Sequence, residues 1–154
     1  MVRMSDLSDS EAEHLLSKVC LPFKTSPWVT GPPLKERRVA IITTAGIHLA
    51  GEKNFEFKDT AYRVIPGDVT TGDMVMTHSS VNFDRTGFQQ DLNVVFPIDR
   101  LHELSKAGEI GSVADFHYGF MGAGSTTFDY EASAREVAGF LKKDLVDAVI
   151  LVPI

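Results

Sequence analysis

One cysteine, Cys20, and one tryptophan, Trp28, are all that 154 residues contain of either type. A single thiol excludes an internal disulfide and any thiolate cluster for metal or redox work. Positive charge is also scarce: 15 Lys and Arg stand against 21 Asp and Glu, for a net charge of −6. The densest basic string, Lys35-Glu36-Arg37-Arg38, is broken by a glutamate. Neutralising phosphates takes a stripe of positive side chains, so nucleic acid is not an expected partner. No apolar run approaches the roughly 18–20 residues that cross a bilayer. The first 20 residues are polar and acidic, with no apolar core of the signal-peptide kind. No membrane contact is expected, and the chain reads as cytoplasmic.

What remains is ordinary for a globular protein: 44% hydrophobic residues, 23% charged residues and ten Phe to fill an interior. The length suits one domain with a sizeable core. Ser8 followed by Glu11 has the spacing of a capping box and predicts a helix over residues 9–19, with Leu15, Leu16 and Val19 on one face. Residues 21–33 then carry Pro22, Pro27, Pro32 and Pro33. Proline lacks the amide donor that regular structure needs, so this stretch reads as an extended arm, with Trp28 pinning it to the domain. The division expected is a helix and arm over residues 1–34 and a folded domain over residues 35–154.

Residues 39–46 are β-rich and nearly continuously apolar, the pattern of a strand buried on both faces. Shorter strands are predicted at residues 62–65, 74–77 and 113–116. Ile98, Leu101 and Leu104 recur at helical spacing, with Pro97 in the first turn and Gly108 as C-terminal cap. A second helix is predicted over residues 130–143, with Asp129 as N-cap. It leads into a last apolar strand at residues 147–154. Strands alternating with helices predict a layered, Rossmann-like α/β domain with a mostly parallel sheet. The last strand has the composition of a central strand, and the βα rhythm predicts more chain after it, so the domain reads as truncated there. Apolar sheet surface left without a covering helix predicts self-association, most simply as a dimer.

Ligands of open α/β sheets gather beyond the carboxyl ends of the strands. His78 follows one predicted strand, with Ser79, Ser80 and Asp84 close by; the group suits carboxylate binding or proton relay, or else His78 is a loop histidine bonded to backbone. His117 and Tyr118 follow another and lead into a run holding Gly119, Gly122 and Gly124. Those glycines permit close backbone approach to a ligand or partner, or simply make a tight turn. The catalytic candidates are therefore His78, His117 and Tyr118; the substrate-binding candidates are Ser79, Asp84, Gly119 and Gly122. Asp99 and Arg100 suit the start of their helix better than chemistry, and His102 and Glu103 suit a solvated face. His48, His78 and His117 show no metal-ligand spacing, so no metal is expected. The segment after the first strand, Gly46-Ile47-His48-Leu49-Ala50-Gly51, lacks the dinucleotide fingerprint.

Four strings are unusual: Thr77-His78-Ser79-Ser80, Asp91-Leu92-Asn93-Val94-Val95-Phe96-Pro97-Ile98-Asp99-Arg100-Leu101, Gly108-Glu109-Ile110-Gly111 and His117-Tyr118-Gly119-Phe120-Met121-Gly122. Together they resemble the selenoprotein B subunits of glycine, sarcosine, betaine and D-proline reductases, over about residues 35–154. Val146-Asp147-Ala148-Val149-Ile150-Leu151-Val152-Pro153 resembles the strand that leads into that family's selenocysteine. The resemblance implies reductive C–N cleavage of a small amino acid or N-methyl amine. It implies a pyruvoyl group on a partner subunit that takes up the substrate amine, and a selenocysteine here, just after Ile154, that attacks the α-carbon. The chain itself has no selenocysteine, and Cys20 lies in the wrong region to replace it. Inactivity as it stands is therefore expected. The alternative is a non-catalytic domain for subunit interaction or small-molecule binding.

Overall fold

The computed structural model describes residues 3–17, 26, 28–80 and 84–154. The chain forms two compact units, Met1–Thr30 and Gly31–Ile154. In the first, helix α1 (Asp9–Leu16) opens on the capping box: Glu11 N–H donates to Ser8 Oγ at 3.4 Å while Ser8 N–H donates to Glu11 Oε2 at 3.1 Å. Two amides that no helical turn can satisfy find partners in this way. The expected continuation to residue 19 lies outside the described residues. In this unit Leu16 and Trp28 are 76% and 87% exposed.

The second unit is built on β1 (Arg38–Thr43), the apolar run that the sequence marks as doubly buried. Strand β7 (Ala148–Val152) pairs with it in parallel along one edge. Along the other edge, β5 (Ser112–Val113) and β6 (Phe116–Gly119) pair with it in succession, also in parallel. Strand β3 (Arg63–Pro66) adds outside β6, antiparallel. Strands β2 (Ile47–Leu49) and β4 (Met74–Met76) form a separate antiparallel ribbon. The fold is thus α/β with a mostly parallel sheet.

Alternation along β1 divides the core between the two faces of the sheet. Val39 and Ile41 pack with Val95, Phe96, Ile98, Leu101 and Ile110, from and around α3 (Ile98–Lys106). Ile42 joins Tyr118 of β6 beneath Val137, Phe140 and Leu141 of α4 (Glu131–Lys143). Gly108, at φ +75°, ends α3 as expected, and Glu109 N–H turns back to the Leu104 carbonyl.

Three details differ from the expectations. Asp129 does not cap α4; its carboxylate takes the amide and hydroxyl of Thr126 three residues back, and Tyr130 stands at the N-cap. The strand placed at residues 113–116 is instead two short strands either side of Ala114 and Asp115. Finally, β7, which the sequence marks for the middle of a sheet, has one neighbour among the described residues. That neighbour is β1, and Val149, Ile150 and Leu151 are 37%, 37% and 70% exposed. A strand apolar on both faces is suited to the middle of a sheet, but only one neighbour is present.

Arg38 fastens the amino end of the sheet. Its guanidinium pairs with Asp144 at 2.6 Å and Asp115 at 2.8 Å and donates to the Val113 carbonyl at 2.8 Å. It thereby ties β1, the β5–β6 turn and the end of α4 into one cluster.

Candidate functional site

The carboxyl ends of β1, β6 and β7 meet in a rim. Its centre is the tight segment 43–47, which turns β1 into β2 through Gly46 at φ +65°. Phe120 N–H donates to the Thr43 carbonyl at 2.8 Å, and Gly46 N–H returns to the Phe120 carbonyl at 2.8 Å. Thr44 N–H donates to the Val152 carbonyl at 3.1 Å, and its hydroxyl accepts the Ile154 amide at 2.8 Å. Thr77 N–H closes the rim on the Gly46 carbonyl at 2.9 Å.

Three predicted residues meet here. A Cβ on Gly119 would collide with the Ile47 carbonyl oxygen, so only glycine lets β6 pass the β1–β2 turn. Gly122 has φ +56°, and a Cβ on it would lie 2.7 Å from both Cβ and the carbonyl oxygen of Thr44. His78 sits directly behind Gly46, where a Cβ would lie 3.0 Å from its Cα. The His78 ring is buried, and its Nδ1 accepts the Ser80 amide at 3.2 Å. Burial, and then the neighbouring Arg85, hold its pKa below the usual histidine value. Arg85 donates to the His78 carbonyl, while Asp84 takes the Thr86 amide at 2.9 Å, at the start of α2 (Thr86–Gln90). Ser79 is exposed beside them.

His117 and Tyr118 lie inside β6, not after it, and face opposite sides of the sheet. His117 is fully buried, edge-on to Phe96 with ring centroids 5.6 Å apart. Its Nδ1 accepts the Ile41 amide at 2.9 Å, and its Nε2 is buried with no hydrogen-bond partner. Burial, followed by the charge of nearby His102, lowers its pKa to about 4. It is thus a neutral ring filling a gap in the β1–β6 ladder, where β1 needs an acceptor and β6 offers a side chain. Tyr118 packs edge-on against Tyr62 under α4, and burial raises its pKa. No single ligand can touch both rings.

His48 is likewise buried, with Nδ1 on the Leu49 carbonyl at 2.8 Å and Nε2 on the Thr77 hydroxyl at 3.2 Å. Among the described residues no three His, Cys, Asp or Glu side chains converge as metal ligands. No helix among them is long and apolar enough to cross a membrane.

Among the described residues, two concavities stand out against the sheet. One of about 380 Å³ lies under the end of α4, between Val64, Phe116, Tyr118, Phe140 and Lys143, beside the Arg38 cluster. The other, about 290 Å³, runs between α4 and the strands, from Leu141 and Leu151 up to Thr44 and Phe120. This second cleft reaches the rim at Thr44 and Phe120 and is lined almost wholly by apolar side chains. Thr44, which is not among the site residues expected from sequence, lies where rim and cleft meet. Nothing in its local sequence marks it, since a threonine at a strand end is commonplace.

A mostly parallel sheet with its polar turns and glycine contacts gathered at one carboxyl-end rim defines an α/β domain, a class whose ligands generally sit at that rim. The comparisons with known proteins narrow this: residues 29–153 match the family model of glycine/sarcosine/betaine reductase selenoprotein B, and the chain belongs to that family. It is 38% identical over 153 residues to the D-proline reductase subunit gamma of Acetoanaerobium sticklandii, covering 96% of this chain and 61% of that one. It is 33% identical over 129 residues to the glycine reductase complex component B subunit gamma of Symbiobacterium thermophilum, covering 78% of this chain and 30% of the relative. The betaine reductase complex component B subunit beta of Peptoclostridium acidaminophilum is 31% identical over 94% of this chain and 35% of its own. The chain therefore spans about three-fifths of the first relative and about a third of the others. No solved structure matches it significantly.

Proposed function

We propose that this chain is the α/β scaffold of a selenium-dependent reductase subunit that cleaves a C–N bond in a small amino acid or N-methyl amine. In this reading the nucleophile is a selenocysteine following Ile154, and a pyruvoyl-bearing partner subunit takes up the substrate amine. Beyond the family match, one observation supports the reading: β7 runs to the carboxyl-end rim, where the Ile154 amide bonds the hydroxyl of Thr44, a residue that also lines the apolar cleft. A selenolate supplies a soft nucleophile that is ionised at neutral pH, extending the logic of activated thiolates.

The chain's own residues fit such a group. The rim is fixed by backbone bonds and by close glycine contacts, so a residue leaving β7 starts from a defined place. The cleft takes a compact apolar body but offers no charged side chain for a carboxylate. Recognition of the substrate's charged ends then falls to His78, Ser79 and Asp84 at the neighbouring edge, or to the partner subunit. His117 and Tyr118 support β6 from its two sides.

On this reading the 154 residues alone lack the attacking atom and are inactive, act in the cytoplasm and assemble with further copies and with the partner. The alternative, a non-catalytic interaction domain, draws on the exposed apolar side chains of β7. The codon after Ile154 separates the two. UGA followed by an open frame and a selenocysteine insertion element supports the reductase; UAA or UAG overturns it.

A further inference from the structure

We infer that Thr44 is a positioning residue, whose hydroxyl sets the direction in which the chain leaves β7. The inference rests on the reading that the nucleophile follows Ile154. The β1–β7 ladder runs in register from Val39 opposite Ala148 to Thr43 opposite Val152. Its last backbone bond is Thr44 N–H to the Val152 carbonyl at 3.1 Å. Pro153 follows and has no amide to donate. In a parallel ladder the next bond would run from the Ile154 amide to a backbone carbonyl of β1. Here it goes to a side chain: the Ile154 amide donates to Thr44 Oγ1 at 2.8 Å. The same hydroxyl lies 3.4 Å from the Ile154 carbonyl oxygen, to which it donates.

One hydroxyl therefore takes the Ile154 amide in place of the backbone carbonyl that a continued ladder would use. Gly122 keeps that hydroxyl in place. Its φ of +56° lets it lie against Thr44, where any Cβ would be 2.7 Å from the Thr44 Cβ and carbonyl oxygen and 3.0 Å from Oγ1. Thr44 also lines the apolar cleft. One side chain thus borders the apolar cavity and bonds the last residue before the proposed nucleophile. No other side chain is bonded to Ile154 among the described residues.

The first test uses the chain as it is. Amide exchange at Ile154, followed by NMR, is compared in the wild type, Thr44→Val and Thr44→Ser. Loss of one net hydrogen bond corresponds to roughly a fivefold to tenfold faster exchange. Thr44→Val is expected to show it with Ile41 and Ile42 unchanged, and Thr44→Ser to restore protection. An unprotected Ile154 amide in the wild type, or equal protection in all three proteins, overturns the clamp. The second test uses the chain extended through its own downstream frame, with the residue after Ile154 as selenocysteine. Thr44→Val is expected to lower kcat at unchanged KM and to shift the pH profile of selenol alkylation by iodoacetamide, with Thr44→Ser again restoring both. Unchanged alkylation and kcat overturn the positioning role. If no alkylatable selenol lies after Ile154 while the exchange result holds, the proposed function has failed and the positioning role with it, leaving Thr44 as a structural clamp.

Discussion

Lowering the pH should loosen this fold through one buried ring. His117 is fully buried, and its Nδ1 is committed as acceptor for the Ile41 amide. Protonation would place a proton on that nitrogen, break the bond, and leave a charge among Phe96 and the apolar core. The pKa accordingly falls from an ordinary 6.5 to about 4, with burial the larger cause and the charge of His102 the next. For a histidine depressed on folding, the unfolded chain binds the proton first. The stability it contributes is complete above pH 6.5, falls as the pH drops from 6.5, and stops falling below about 4. The loss reaches roughly 2.5 kcal/mol by pH 4.5, a large share of a typical domain's stability. Urea unfolding at pH 7.5, 6.5, 5.5 and 4.5 would measure it, with His117→Asn as the control. The asparagine carboxamide can offer an oxygen to the Ile41 amide but does not titrate. Its stability should be lower at neutral pH, because the ring leaves a gap, yet decline more shallowly with acid. Parallel pH profiles for the two proteins would refute the reasoning, since the other titrating groups are common to both.

The remaining predictions concern stability, assembly and activity. Arg38→Met should cost roughly 2–4 kcal/mol in urea unfolding, because it leaves the half-buried Asp144 carboxylate without its cation; adding Asp144→Asn should recover part of the loss. Light scattering at micromolar concentration should show a dimer, and Leu151→Glu, which puts a charge on the exposed face of β7, should return it to 16.9 kDa; a wild-type monomer would mean that β7 is covered without a second copy. The purified chain should not reduce glycine, sarcosine, betaine or proline with dithiothreitol, even with a pyruvoyl partner added, and turnover would place the nucleophile within residues 1–154. In a selenium-containing extended version, His78→Ala should lower turnover by about 100-fold if that ring relays a proton at the rim; unchanged kinetics would make it a packing residue.

Much of the fold was legible because the signals were local. The Ser8–Glu11 box, the Leu101 face of α3 and the apolar run of β1 each follow from side-chain periodicity or capping chemistry, which neighbours in sequence determine. The candidate site was legible in part. Glycines at 119 and 122 were read as room for a ligand or partner, or else as a tight turn; in the structure they lie against the chain's own Ile47 carbonyl and Thr44 side chain. The histidines were read less well, because a buried ring that completes a ladder and a ring that serves a ligand have the same sequence signature. His117 differs from a surface histidine only through Ile41 and Phe96, 76 and 21 positions away in the chain, and no window of sequence contains that contact.

Strand β7 shows where composition stops being informative. Its run of alanine, valine, isoleucine and leucine records that both faces are apolar, and from that a central place was expected. Hydrogen bonding to a second neighbour is a separate property, decided by topology, and among the described residues β7 bonds to β1 alone. The same separation gives β7 its interest. With one neighbour among the described residues, the end of β7 is fixed by β1 and by whatever else bonds its last residues. The Thr44 hydroxyl supplies that further bond at the one position where Pro153 has interrupted the ladder and the backbone no longer does. The exposed side chains at 149–151 and the clamped residue at 154 therefore belong to one arrangement: a strand secured along β1 and at its tip, with its outer edge and apolar side chains open for whatever completes the sheet.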